Sequence, residues 1–85
     1  VKGDSMIGAS IQSGDILIVD RSLQAQSGKI IVACLNGEFT VKRLKKEGAK
    51  VYLEPENPRY PVIEITEESD FQVWGVVTYV IHRSC

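Results

Sequence analysis

Cysteine is scarce in this 85-residue sequence: only Cys34 and Cys85 occur, without CxxC spacing. That pattern excludes a disulfide framework and a cysteine-built zinc site, and the reducing cytoplasm is the simplest setting for it. Histidine occurs once, at His82. Any Ser-His-Asp triad would therefore have to use it, yet beside Arg83 at the end of a β-rich run it reads as a structural or surface residue. No cluster or motif asks for a metal or a cofactor. No apolar run approaches the roughly 18–20 residues of a membrane helix, and no basic-then-apolar leader is present, so a membrane partner is not expected. Excess charge is lacking as well. Ten basic residues face eleven acidic ones for a net charge of −1. Binding to nucleic acid by bulk charge is not favoured, and sequence-specific DNA contact is not expected. The basic residues cluster at Lys42, Arg43, Lys45, Lys46 and Lys50, and the acidic ones between Glu54 and Asp70. Both clusters read as solvated faces.

Helical periodicity is absent too. Only Met6–Ile11 and Ser22–Gln26 have room for a short helical turn. Strand signals fill the rest. Asp15–Asp20 and Lys29–Leu35 are apolar runs, each opened by Ser-Gly. Asn36-Gly37 follows the second run and is a strong hairpin signal, because both residues tolerate positive φ. Its partner is Glu38–Lys45, ended by Glu47-Gly48. Lys50–Glu54 is a short strand. Pro55, Pro58 and Pro61 enforce an irregular connector, since proline cannot donate to a ladder. Val62–Thr66 alternates again. Phe71–His82 is a long last strand with Gly75 as a bulge, and it offers an edge for pairing with another chain. Cys34, inside an apolar run, reads as a small buried hydrophobe. The expected fold is mostly β: a single domain over 1–85, built as a small curled antiparallel sheet or partly open barrel. The chain opens on Val1, which fits a fragment or a processed product.

The motif that carries chemistry begins at "GDSM", residues 3–6. A serine hydroxyl is a weak nucleophile and needs a base. The G-x-S-x-G elbow fails because Ile7 stands where its last glycine belongs. A Ser-Lys dyad remains. Lysine acts as a base only when neutral, a state held by roughly one molecule in two thousand at pH 7 given a pKa near 10.4. Making that form dominant costs about 4–5 kcal/mol, which burial among apolar groups supplies by penalising the ammonium. The required signature is a lysine inside a strand with apolar neighbours. In "EFTVKRL" alternation sets Thr40, Lys42 and Leu44 on one face, so Lys42 fits. Lys45 and Lys46 approach a turn and should be solvated. Residue by residue, Ser5 could equally be a turn or cap serine and Lys42 a snorkelling surface lysine.

Taken together, "GDSM", "SGDILIVD", "NGEFTVKRLKKEG", "LEPENPRYPVIEI" and "VWGVVTYVI" resemble the carboxy-terminal domain of the LexA/UmuD self-cleaving family across nearly all of the chain. The resemblance puts Ser5 at the family's nucleophile and Lys42 at its general base, with a separation of 37 that agrees with the family spacing. It implies an oxyanion site of backbone N–H groups near Asp4 and Ser5, and cleavage of an amino-terminal arm stimulated by a RecA filament on single-stranded DNA. Only four residues precede Ser5, so the family's scissile bond lies outside this sequence, as expected for the core of a processed form. Asp4 and Phe39 look more like UmuD than LexA. That branch implies a homodimer that binds a UmuC-like Y-family polymerase. The competing readings are the self-cleavage and dimerisation core of a LexA- or phage-type repressor, and a β adaptor without catalysis.

Overall fold

The computed structural model describes residues 1 and 3–82. Arg83 and Cys85 lie outside those residues. About half of the described chain is strand: β1 (Ile16–Asp20), β2 (Ile30–Leu35), β3 (Glu38–Glu47), β4 (Lys50–Glu54), β5 (Ile63–Ile65) and β6 (Phe71–Ile81). They form one antiparallel sheet in the order β1-β6-β2-β3-β4-β5, which does not close on itself. No helix among the described residues is long and apolar enough to cross a membrane.

The β2–β3 hairpin forms as its turn dictates. Asn36 and Gly37 both take positive φ, 50° and 85°, the backbone that a tight two-residue hairpin requires. The resulting register pairs Ile31 with Lys42, Ala33 with Thr40 and Leu35 with Glu38. Residues directly opposite in an antiparallel pair share a face. That face is the core side: Ile31, Ala33, Leu44, Leu53 and Val76 are buried there, and Leu35, Val51, Ile63, Phe71 and Val73 pack around them. Alternation puts Cys34 on the opposite side of β2, where it is half-buried rather than enclosed. On that outer side the Arg21 guanidinium lies 4.5 Å from the centre of the Trp74 ring, and Phe39 meets the ring edge-on at 6.3 Å.

Two expectations need correction. Ser22–Gln26 forms no helical turn; among the described residues the single short helix is a 3-10 turn at Ile7–Ala9. Asp20 Oδ1 accepts from both the N–H and the hydroxyl of Ser22, at 2.8 and 2.6 Å, and this local side-chain bonding competes with a helical start. The last strand is also not an edge along its length. β6 runs between β2 and β1, pairing with β2 over Phe71–Val76 and with β1 over Val76–Ile81. Only the β2-facing side beyond Val76 has no strand beside it among the described residues. The bulge expected at Gly75 is present, since Val32 pairs with Gly75 but Ala33 with Val73. Glycine is needed there, because a Cβ would sit 2.5 Å from Val19 Cγ1 as β1 ends against it.

One register change matters for function. β4 pairs with β3 only from Arg43 to Glu47. The preceding stretch, Glu38–Lys42, has β2 on one side and, among the described residues, no strand on the other. This open flank of β3 is where the segments 3–11 and 55–61 come together.

Candidate active site

Lys42 projects from the core face of β3, directly across from the fully buried Ile31. Its amine lies 2.9 Å from Ser5 Oγ, 2.9 Å from Thr40 Oγ1 and 3.1 Å from the Val41 carbonyl oxygen. All three partners are neutral oxygens. Among the described residues no carboxylate within ion-pair reach favours the ammonium, and burial lowers the pKa below the usual 10.5. Lys45, three residues on, shows the reverse. It is exposed to solvent on one side, and its hydrogen bond to Glu47, reinforced by that carboxylate's charge, raises its pKa. Lys46 is fully on the surface.

The partner count suits a neutral amine. An –NH₂ group has two N–H donors and one lone pair. The donors match Thr40 Oγ1 and the Val41 carbonyl, which leaves the lone pair for the Ser5 hydroxyl proton. The arrangement can thus take a proton from Ser5 without leaving a polar atom of the lysine unpaired.

Ser5 stands on no strand. Its segment is hung on the proline-rich connector that follows β4. The Glu56 N–H donates to the Ser5 carbonyl at 2.7 Å, and the Gly8 N–H donates to the Glu56 carbonyl at 2.7 Å. Gly8 must be glycine, because any Cβ would overlap the Glu56 carbonyl. Asn57 Nδ2 donates to the Asp4 carbonyl at 3.0 Å, and the Tyr60 hydroxyl donates to the Asp4 carboxylate. That contact, first as a hydrogen bond and then through charge, raises the Tyr60 pKa. Arg43 ties the connector back to β3 through a 2.5 Å ion pair with Glu56. Met6 and Ile11 are buried beneath the segment and anchor it from below.

The sequence had singled out Ser5, Lys42 and the backbone of Asp4 and Ser5, and the structure brings these together. The N–H groups of Asp4 and Ser5 donate to none of the described residues. His82 contacts neither Ser5 nor Lys42: its Nδ1 lies 2.8 Å from the buried Asp15 carboxylate, which also accepts from the Gln12 N–H at 2.7 Å. Thr40, Gly8, Glu56, Asn57 and Tyr60 were missed. Thr40 was accessible in principle, since it shares the face of Lys42 two residues away. The connector residues carried no signal beyond being polar among prolines.

A cavity of about 310 Å³ opens on one side of the pair, with Met6, Ile11, Val32, Phe39 and Val41 in its walls. A second of about 250 Å³ lies beyond Lys42, bounded by Leu35, Glu38, Tyr60 and Ile63. Thr40 and Lys42 border both, so the two read as one cleft passing the amine.

Fold and site define a small antiparallel-sheet protein that presents a serine and a half-buried lysine, in contact, at a cleft. The chain belongs to the family described as Peptidase S24-like, whose pattern it matches over residues 1–78. It is 45% identical over 83 residues to LexA repressor 2 of Pseudomonas syringae pv. tomato, covering 98% of this chain and 41% of that protein. It is 46% identical over 88 residues to Protein MucA of Escherichia coli, covering all of this chain and 60% of MucA. With the LexA repressor of Acidovorax sp. it shares 42% over 84 residues, or 99% of this chain and 38% of that one. The chain therefore spans between about two-fifths and three-fifths of the length of these relatives.

Proposed function

We propose that this chain is the Ser-Lys peptidase core of a UmuD′-like SOS mutagenesis protein, a single cytoplasmic domain over 1–85. The observation that carries the reading is the 2.9 Å contact between Ser5 Oγ and an amine whose partners are all uncharged. Lys42 takes the proton from Ser5 as the hydroxyl oxygen attacks the scissile carbonyl of an amino-terminal arm. The backbone N–H groups of Asp4 and Ser5 receive the oxyanion. Lys42, now an ammonium, returns the proton to the leaving amine. Water, deprotonated by the same lysine, then hydrolyses the acyl ester. The open flank of β3 over Glu38–Lys42 suits an extended arm, which would add to the sheet edge and run along the cleft.

The same reading gives a RecA filament on single-stranded DNA as the stimulus, and a homodimer that serves a UmuC-like Y-family polymerase in translesion synthesis. The dimer is supported by the ribbon of β1 and β6. Ile16 pairs with Ile81 and Ile18 with Tyr79, and all four side chains are exposed on one face. Among the described residues no strand lies on the β2 side of β6 beyond Val76, so a second copy can continue the sheet there.

A second reading is kept because the repressors match as well as MucA does: the carboxy-terminal self-cleavage domain of a LexA-type repressor. The natural sequence upstream of Val1 separates the two. A helix-turn-helix means a repressor, and a short unstructured arm means a polymerase subunit. The peptidase itself is tested by mixing the chain with a full-length relative whose own nucleophile is changed to alanine. Cleavage of that relative, lost in both Ser5→Ala and Lys42→Ala, supports the dyad. Cleavage that persists in either variant rejects it.

A further inference from the structure

The dyad accounts for proton transfer but leaves open what aims the backbone at the oxyanion, and the connector after β4 answers that. Asp4 is gripped at two points from the same short stretch: Asn57 Nδ2 holds its carbonyl oxygen at 3.0 Å and the Tyr60 hydroxyl holds its carboxylate. Asn57 is itself braced, because its Oδ1 accepts from the Arg59 N–H at 3.0 Å. This fixes which amide atom faces Asp4: the oxygen is committed to Arg59, so the nitrogen is the donor to Asp4. The Asp4–Ser5 peptide is trans, so its N–H points opposite to its carbonyl. Holding the Asp4 carbonyl toward Asn57 therefore turns the Ser5 N–H away from the connector. That N–H donates to none of the described residues. One bond further on, the Glu56 N–H fixes the Ser5 carbonyl at 2.7 Å, so the connector holds both peptide planes flanking the serine, with the Ile7 N–H adding a longer 3.3 Å bond to the Asp4 carbonyl.

We propose that Asn57 and Tyr60 are positioning residues for the oxyanion site: by holding Asp4 at its carbonyl and its carboxylate, they lock the Asp4–Ser5 peptide plane with the Ser5 N–H presented to the carbonyl oxygen under attack. The Tyr60 bond has a second effect. It directs the Asp4 negative charge toward a hydroxyl proton, at the one residue where a free carboxylate would oppose a developing oxyanion. This inference rests on the peptidase reading of Ser5 and Lys42.

The test is cleavage of the nucleophile-less full-length relative, followed as kcat and KM from pH 7 to 10, with thermal melts of each variant. Asn57→Asp keeps the bond to Arg59 but sets an acceptor against the Asp4 carbonyl. It is expected to lower kcat about 10–100-fold, a fraction of the loss that follows removal of an oxyanion donor, with KM within about twofold. Tyr60→Phe removes only the hydroxyl and is expected to lower kcat about 3–10-fold. In Tyr60→Phe the pH midpoint of the rate stays where the unsubstituted chain has it, because the three partners of the Lys42 amine are kept and no charge is added. Unchanged kcat in both variants overturns the proposal. So does a loss that follows a fall in melting temperature through the assay range, or a shift of the pH midpoint in Tyr60→Phe. If the unsubstituted chain shows no Ser5-dependent cleavage, the peptidase reading fails and the positioning role falls with it.

Discussion

The two halves of the serine-lysine contact are built by different means. Lys42 belongs to β3, a strand paired with β2 and then β4, with Leu44 buried two residues on. Its place is held by the same ladder and core that hold the whole sheet. Ser5 belongs to a segment without a strand, tied to residues 56–60 by a few hydrogen bonds and seated on Met6 and Ile11. Such a segment can open without unfolding the sheet, whereas β3 cannot. Activity and stability should therefore separate along this divide, and substitutions on its two sides test whether they do.

The largest effect is expected from removing either reacting group. Ser5→Ala and Lys42→Ala should each reduce cleavage of the full-length relative about a thousandfold or more, read from product bands over time, because the two act as a unit. Next, Gly8→Ala strikes only the serine side. The overlap with the Glu56 carbonyl should cost about 1–3 kcal/mol of local docking, and cleavage should fall roughly 5–150-fold while urea unfolding of the sheet moves much less. Its counterpart on the sheet side is Leu53→Ala. A buried leucine truncated in the core should cost about 2–5 kcal/mol in urea unfolding, with cleavage little changed at temperatures where the variant remains folded. If Gly8→Ala and Leu53→Ala lower activity and stability in the same proportion, the two halves are not independent.

The smallest effect is the most diagnostic of the amine. Burial lowers the Lys42 pKa, so its ammonium is less stable in the folded chain than in the unfolded one. That penalty is complete below the folded pKa and vanishes above the unfolded value of about 10.4. Cleavage should accordingly rise with pH to a midpoint below 10.5, and a flat profile from pH 6 to 10 would contradict a lysine base. Lys42→Met should melt a degree or so higher at pH 7, with the gap closing above about pH 10.4 as the unfolded lysine also loses its charge.

How much of this was legible in the sequence follows the same divide. Strand positions were readable because they obey a period of two and because Asn36-Gly37 names its own turn. That sufficed to set Lys42 on the face of Leu44. The Gly75 bulge was legible for a similar reason, since glycine interrupts a β-branched run. The clash that demands it was not, because Val19 lies more than fifty residues away. Long-range pairing explains the misreading of β6 as an edge: nothing local in Phe71–Ile81 announces that β1 will dock along it. The hold of Asn57 and Tyr60 on Asp4 was equally hidden. An asparagine and a tyrosine between prolines look like any loop until the fold brings residue 4 beside them, and Asp20 ended the expected turn at Ser22 by a bond too local for periodicity to register.

The docking of the first strand against the last also orders events on the ribosome. β2 to β5 are sequential neighbours and can zip up as they emerge, but β1 has no partner until Phe71–Ile81 is synthesised. A nascent chain that stalls short of residue 71 exposes the outer edge of β2 and the apolar strand Ile16–Asp20 together, two complementary templates for joining other chains. Truncated translation products should thus be far more prone to aggregate than their small size alone implies.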